Sequence, residues 1–219
     1  MTYEGLRLKL RGYRRKIFAN CRKKKITNTS FTIISNNCWG GMIYESYNLP
    51  KQSPTVGMFF YADDYIKFLK NLKKYTTEVE LKFINPNDSK WKKYVENDKR
   101  FGTYPVGVLD DIEIFFLHYS SEAEAKEKWE RRCKRINWDR MIVKFNDQNL
   151  CSENNLKEFL NLEFKNKLFF TCKDWKIKDE KAEIIKIKQH FKKEFILASH
   201  EPFGKNKYIN LNKYINNLK

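Results

Sequence analysis

From Phe31 onward, short apolar runs alternate with segments of helical periodicity, and this alternation narrows the possible folds more than any other feature. Strands are predicted at "FTIIS" (31–35), "VELKFI" (79–84), "RMIVKF" (140–145), "KLFFTC" (167–172) and "EFILAS" (194–199). "VGVL" (106–109) and "IEIFFLHY" (112–119), separated by Asp110-Asp111, read as a strand pair or one bent strand. Between them, Met42 to Tyr47 predicts a short helix, and Tyr65, Phe68, Leu69 and Leu72 give a longer one its apolar face. Ser121 and Glu124 form a capping-box signature for a helix to about Ile136, with Ala125, Trp129 and Cys133 inward. Further helices are predicted near 153–161 and 182–192. The expected fold is α/β, three layers deep, with a mostly parallel sheet covered by helices on both faces. Its domain occupies residues 29–219.

Ahead of that domain lies a basic arm, residues 1–28, with ten Lys/Arg against the single acid Glu4. It therefore holds +9 of the formal +17 of the 219-residue chain. Leu6, Leu10, Tyr13, Ile17 and Cys21 follow helical spacing among the basic residues, so the arm reads as an amphipathic helix. Such a helix suits an anionic membrane surface; the plainer reading is a solvated arm packed on the domain or on another subunit. No helix-turn-helix, RNP or zinc-finger signature supports nucleic acid. No apolar run reaches the roughly 20 residues of a membrane span, and no secretory h-region follows the basic N-terminus. A cytoplasmic location is expected, at the inner face of the plasma membrane if the arm binds lipid. Five cysteines, odd in number and without a CxxC pair, fit free thiols in a reducing compartment and no structural metal.

In an open parallel sheet, ligands bind at the carboxyl ends of the strands. Asn36, Asn37 and Cys38 follow the first predicted strand, His118 ends another, Asp147 follows 140–145, and Ser199 and His200 close the last. Parallel strands would bring them all to one rim. Cys38 has three readings. At a helix N-terminus its thiol pKa would fall, making it a nucleophile, with His118 or His200 as base. The Gly40 and Gly41 amides would then form an oxyanion hole, assisted by Asn36 or Asn37. Alternatively the turn binds an anion without covalent chemistry, or Cys38 only fills a buried corner. Asp110-Asp111 could hold a divalent ion beside a nucleotide diphosphate, although a hairpin turn is the simpler reading. Arg131 and Arg132 could reach a phosphate or lie on a solvated helix face. Asp63-Asp64 suits a helix start. His190 and His200, ten residues apart, specify nothing.

The segments "SNNCWGGMIYE", "SPTVGMFF" with "DDYIKFLKNLKKY", "YPVGVLDDIEIFFLHY" and "AKEKWERRCKRINWDRMIVKF" occur in an order that resembles the domain of unknown function 1919 family. These are bacterial proteins associated with exopolysaccharide and capsule biosynthesis. The resemblance covers roughly residues 30–172. It implies a role in surface-polysaccharide assembly on a sugar or lipid-linked glycan, without fixing a reaction. The motif residues it carries over are Asn36, Asn37, Cys38, Trp39, Gly40, Gly41, Ser53, Pro54, His118, Tyr119, Trp129 and Arg132. The strand, Asn-Cys and helix sequence is also similar to the opening of a capsule-biosynthesis transferase family that binds coenzyme A. That likeness implies a coenzyme A thioester as donor, but it is local, because tryptophan and two glycines follow Cys38. The leading expectation is an acyltransferase-like enzyme. Cys38, His118 and Asn37 would be catalytic; Asn36, Trp39, Gly40, Gly41, Ser53, Tyr119, Arg132 and His200 would bind substrate. The alternatives are a glycosyl- or phosphosugar-transferase using Asp110 and Asp111, and a non-catalytic membrane-peripheral adaptor.

Overall fold

The computed structural model describes residues 3–177, 182–188 and 194–218. Along the chain run α1 (Tyr3–Ile17), α2 (Ala19–Lys23), β1 (Thr32–Ser35), α3 (Trp39–Ser46), α4 (Ala62–Lys70), α5 (Leu72–Thr77) and β2 (Lys82–Ile84). They are followed by α6 (Lys92–Val95), β3 (Val106–Leu109), β4 (Ile112–Phe115), α7 (Glu122–Cys133), β5 (Met141–Asn146) and α8 (Glu153–Asn161). The remainder comprises β6 (Lys167–Thr171), β7 (Glu183–Lys186) and α9 (Leu211–Asn216), and 3-10 turns lie at Pro86–Asp88 and Ala198–His200.

The main sheet is parallel, in the order β1-β5-β6-β7. Alternation along its strands sends side chains to two cores. Ile34, Val143, Phe145 and Phe169 face α4, α7 and α8, where Tyr65, Phe68, Trp129 and Phe159 pack. Ile33, Ile142, Leu168 and Phe170 face the opposite layer, built from Trp39, Ile43 and Tyr44 of α3 and Leu211 and Ile215 of α9. Helices therefore cover both faces. Burial on both sides explains why these strands read as continuous apolar runs. The Ser121 hydroxyl accepts from the Glu124 amide at 3.2 Å, so α7 starts where its cap dictates.

The strands β2, β3 and β4 form a separate antiparallel sheet. Asp110, with φ +59°, makes the β3–β4 turn. A loop from Ser53 to Tyr61 stitches this sheet to the end of β1. Phe59 exchanges both backbone bonds with Phe115 at 3.0 Å, and the Phe60 amide donates to the Asn36 carbonyl at 3.1 Å.

Two expectations fail in the C-terminal third. The predicted helix near 182–192 gives way, over its described part, to β7, whose Ile184 and Ile185 extend the parallel sheet; residues 189–193, including His190, lie outside the described residues. The predicted strand at 194–199 is absent. There the Ile196 amide donates to Asp147 Oδ1 at 2.8 Å, and the chain then turns at Ala198–His200. A side chain takes the amide that a ladder would have used.

Among the described residues no helix is long and apolar enough to cross a membrane. The arm is helical, and its apolar stripe points away from the domain. Leu6, Leu10, Tyr13 and Ile17 are 49–69% exposed, while Leu8, Arg11, Gly12 and Arg15 are half-buried.

Candidate active site

At the carboxyl ends of β1 and β5, a cleft of about 390 Å³ opens between the two sheets. Asn37, Cys38 and Met42 form its floor, from the turn into α3. Phe59, Tyr61 and Tyr94 supply an aromatic wall, and Leu117 and His118, just past β4, supply the facing edge. Val95, Asp98, Gln148, Asn149 and Leu197 to Ser199 complete it. His118 thus reaches Cys38's cleft, though not along one parallel rim as expected. It comes from the antiparallel sheet, held by its amide's 3.1 Å bond to the Gly57 carbonyl. Gly57 has φ +81°, and a Cβ there would stand 3.0 Å from Tyr119 Cε2 and 3.4 Å from His118 Cβ, so glycine lets the loop pass.

The aromatic wall is braced from behind. Asp64, buried in the first turn of α4, accepts from Trp91 Nε1 at 2.7 Å, from the Glu113 amide at 3.0 Å, and from Lys90 Nζ at 2.7 Å. Trp91 then stacks on Tyr61 with centroids 4.4 Å apart, and Tyr94 lies 5.9 Å from Tyr61. The expected helix-starting role of Asp63-Asp64 holds, and Asp64 also ties the small sheet to the site.

Beneath the floor lies a fully buried polar network. Lys144, within β5, pairs with Glu201 at 2.5 Å, both side chains having no exposed surface. Lys144 Nζ also donates to Asn37 Oδ1 at 2.9 Å. Asn146 Nδ2 donates to Glu201 Oε1 at 2.7 Å, and Asn36 Nδ2 donates to Asn146 Oδ1 at 2.8 Å. Burial lowers the Lys144 pKa and raises that of Glu201, each partner opposing the shift in the other. Asn37 Oδ1 also takes the Trp39 amide at 3.1 Å, joining the network to the start of α3.

The expected activation of Cys38 is corrected. Its thiol is pushed up to about 11 by burial; the nearby Lys144 charge opposes this and Glu201 adds to it. Desolvation outweighs the helix N-terminus, so the group is a protonated thiol at neutral pH. Sγ lies 3.9 Å from the Met58 carbonyl, within reach of a weak S–H donation. For His118, burial and then the Arg100 charge lower the imidazole pKa, which keeps it neutral and able to accept a proton. Arg100 itself donates to the Leu117 carbonyl at the cleft's edge. Gln148 Oε1 is buried without a hydrogen-bond partner among the described residues.

The remaining candidates have structural work. Trp39 is buried, its ring edge-on to Phe170 and its Nε1 donating to the Pro202 carbonyl at 2.8 Å. Gly40 and Gly41 sit in the first turn of α3, where a Cβ would meet Ile33 Cγ2 at 3.2 Å and Val56 Cγ1 at 3.0 Å. Close packing accounts for both glycines. Ser53 bonds Thr55, whose hydroxyl takes the Ser35 amide at 3.1 Å. Tyr119 donates to the Val56 carbonyl and accepts from Arg132 Nη1 at 2.5 Å, so this pair props up the 53–61 loop. Arg132 is buried, not on a solvated face or open to a phosphate. Asp147 accepts from Thr171 Oγ1 at 2.6 Å and the Cys172 amide at 2.9 Å. His200 lines a different cavity, while Ser199, 3.2 Å from its ring, lines this one. Asp110 and Asp111 are exposed and ion-paired to Lys74 and Lys67, each at 2.9 Å. The Tyr75 hydroxyl, and then Lys67, bring Asp111 down to about 2. They form the hairpin turn. Among the described residues no group of three or more His, Cys, Asp or Glu is placed to hold a metal.

Sequence reasoning missed Lys144, Asn146 and Glu201, and with them the aromatic wall. A lysine inside "RMIVKF" was the available signal, since a strand buried on both faces must bury that lysine too.

The match to the family described as domain of unknown function (DUF1919) spans residues 9–219. The chain belongs to this family. The match takes in most of the arm and the whole C-terminal third, beyond the stretch that carried the resemblance. An uncharacterized protein of Haemophilus influenzae (strain ATCC 51907 / DSM 11121 / KW20 / Rd) is 35% identical over 163 residues, covering 74% of this chain and 72% of that protein. The candidate site lies at the carboxyl ends of the parallel strands, where open α/β sheets generally bind ligands.

Proposed function

We propose that this DUF1919 protein is a group transferase of surface-polysaccharide assembly, with Cys38 and His118 as its reacting pair. One observation carries the reading: a thiol and a neutral imidazole, supplied by two different sheets, line one aromatic-walled cleft. Aromatic faces suit the apolar faces of sugar rings, and Gln148 and Asn149 offer polar partners for hydroxyls. In the proposed cycle His118 takes the Cys38 proton as sulfur attacks the acyl carbon of a thioester donor. The donor's carbon–sulfur bond breaks, and its thiolate leaves with the proton from the imidazole. A sugar hydroxyl, deprotonated by His118, then attacks the Cys38 thioester, forming the ester and restoring the thiol. The exposed apolar face of α1, set among the basic residues of the arm, suits an anionic membrane surface where a lipid-linked acceptor would lie.

Expressing Cys38→Ala and His118→Ala variants in cells lacking the native protein, and measuring acyl groups on the surface polymer, tests the reading. Both variants should abolish the modification; full modification with either one would refute the pair. The raised thiol favours a second route, in which His118 activates the acceptor hydroxyl for direct transfer. Cys38→Ala would then retain activity while His118→Ala would not.

A further inference from the structure

On the far side of the Ser199–Glu201 segment, a second cavity of about 330 Å³ lies between the arm and the C-terminal segment. Arg7, Arg11, Arg14 and Arg22 line it from the arm. Lys188, Lys205 and Lys207 line it from the opposite wall, and among the described residues no Asp or Glu lines it. None of these seven cations forms an ion pair with a carboxylate among the described residues. The inner arginines are held only by neutral acceptors. Arg22 donates to the Arg15 and Ser46 carbonyls at 2.9 and 3.0 Å and to the Arg14 carbonyl at 2.8 Å; Arg11 Nη2 donates to the Glu201 carbonyl at 2.7 Å. Both guanidiniums also lie over the Phe203 ring, at 5.1 and 5.0 Å from its centroid. Gly204, at φ +64°, leaves room for this: a Cβ there would stand 3.0 Å from Arg22 Nε.

Arg11 Nε is buried and has no acceptor among the described residues. A buried charged donor without an acceptor is costly, and so is a cluster of like charges. Burial, followed by the charges of Arg7, Arg15 and Arg14, lowers the Arg11 pKa. An anion in the cavity would relieve both costs.

We propose that this cavity binds a diphosphate ester. Cations on opposing walls suit a ligand with more than one anionic group, and Ile187, Phe203 and Tyr208 give its organic substituent an apolar surface. Binding there requires no chemistry at Cys38. Two sources share the ligand chemistry, a soluble nucleoside diphosphate and a polyprenyl diphosphate in a membrane.

Calorimetric titration of the full chain with inorganic pyrophosphate at low salt tests the site. Wild type should bind pyrophosphate more tightly than phosphate. Arg11→Gln and the exposed pair Lys205→Gln/Lys207→Gln should each weaken pyrophosphate binding by about tenfold or more. The lysine pair keeps the test decisive if loss of Arg11 impairs folding. Absence of pyrophosphate binding, or equal affinity in wild type and the lysine pair, would overturn the proposal. Uridine diphosphate binding more tightly than pyrophosphate identifies the soluble source. Sedimentation with phosphatidylcholine vesicles carrying polyprenyl diphosphate, but not with vesicles carrying the monophosphate, identifies the lipid.

Discussion

The two cavities handle charge in opposite ways. Under the Cys38–His118 cleft, Lys144 and Glu201 neutralise one another in a buried network and present no net charge. Between arm and tail, seven cations converge with no carboxylate in the cavity wall among the described residues. A buried pair whose charges cancel belongs to the architecture, even though Glu201 Oε2 has no hydrogen-bond partner among the described residues: it fixes Asn37 and the start of α3. A cluster whose attraction is incomplete is a demand for something external. Charge count alone would not separate them; the presence of a partner does.

The contrast is broken most directly at Lys144. Lys144→Met should strand the Glu201 carboxylate and destabilise the protein by about 3–5 kcal/mol. Lys144→Met/Glu201→Gln, which removes both charges, should recover much of that loss. Chemical denaturation reads both, and a Lys144→Met protein as stable as wild type would end the architectural reading of the pair.

At His118 the effect should be a rate. His118→Ala should slow transfer by about 10²- to 10⁴-fold. In wild type, activity should fall in acid as the imidazole takes a proton. The stability sign follows from the lowered pKa. As pH falls, the unfolded chain protonates first, near 6.5. The contribution of neutral His118 is therefore complete above that pH and is lost as pH falls through the lower folded value. His118→Gln should flatten this part of the pH–stability curve.

A smaller effect separates the thiols. At neutral pH Cys38 should alkylate far more slowly than the exposed Cys21, its rate rising with pH toward its value of about 11. Peptide mass spectrometry on native protein reads each site. Fast alkylation of Cys38 at pH 7 would restore the activated thiolate. The smallest effect belongs to the basic cavity. Lys205→Gln should leave ligand-free stability within about 0.5 kcal/mol of wild type, on the stabilising side. A clear loss would mean that the lysine already has an internal role.

The parallel framework was legible because β1, β5 and β6 bury both faces and so read as uninterrupted apolar runs. The α7 boundary was legible because Ser121 and Glu124 are local signals. In the C-terminal third, "EIIKIK" has β-branched residues whose sheet preference, completed by pairing with β6, prevails over the helical reading. The meeting of Cys38 and His118 was anticipated, but by the wrong route. It depends on the Phe59–Phe115 stitch between sheets, a long-range pairing that no local pattern records. Glu201 carried no signal either, because its partner is 57 positions earlier and only the fold brings them together. The arm's periodicity was legible, while which of its faces packs on the domain stayed open. Arg11 turns inward to the Glu201 carbonyl, a partner 190 positions away, and the leucines are left outward.

Ser199, His200 and Glu201 are consecutive residues with three separate addresses: the cleft, the basic cavity, and the network beneath the floor. Arg11 holds this strip through the Glu201 carbonyl. A displacement of the strip from one side has a direct path to the other, and thermodynamic linkage makes any such coupling reciprocal. A diphosphate that tightens acceptor binding by some factor must itself be bound more tightly by that same factor when the acceptor is in place.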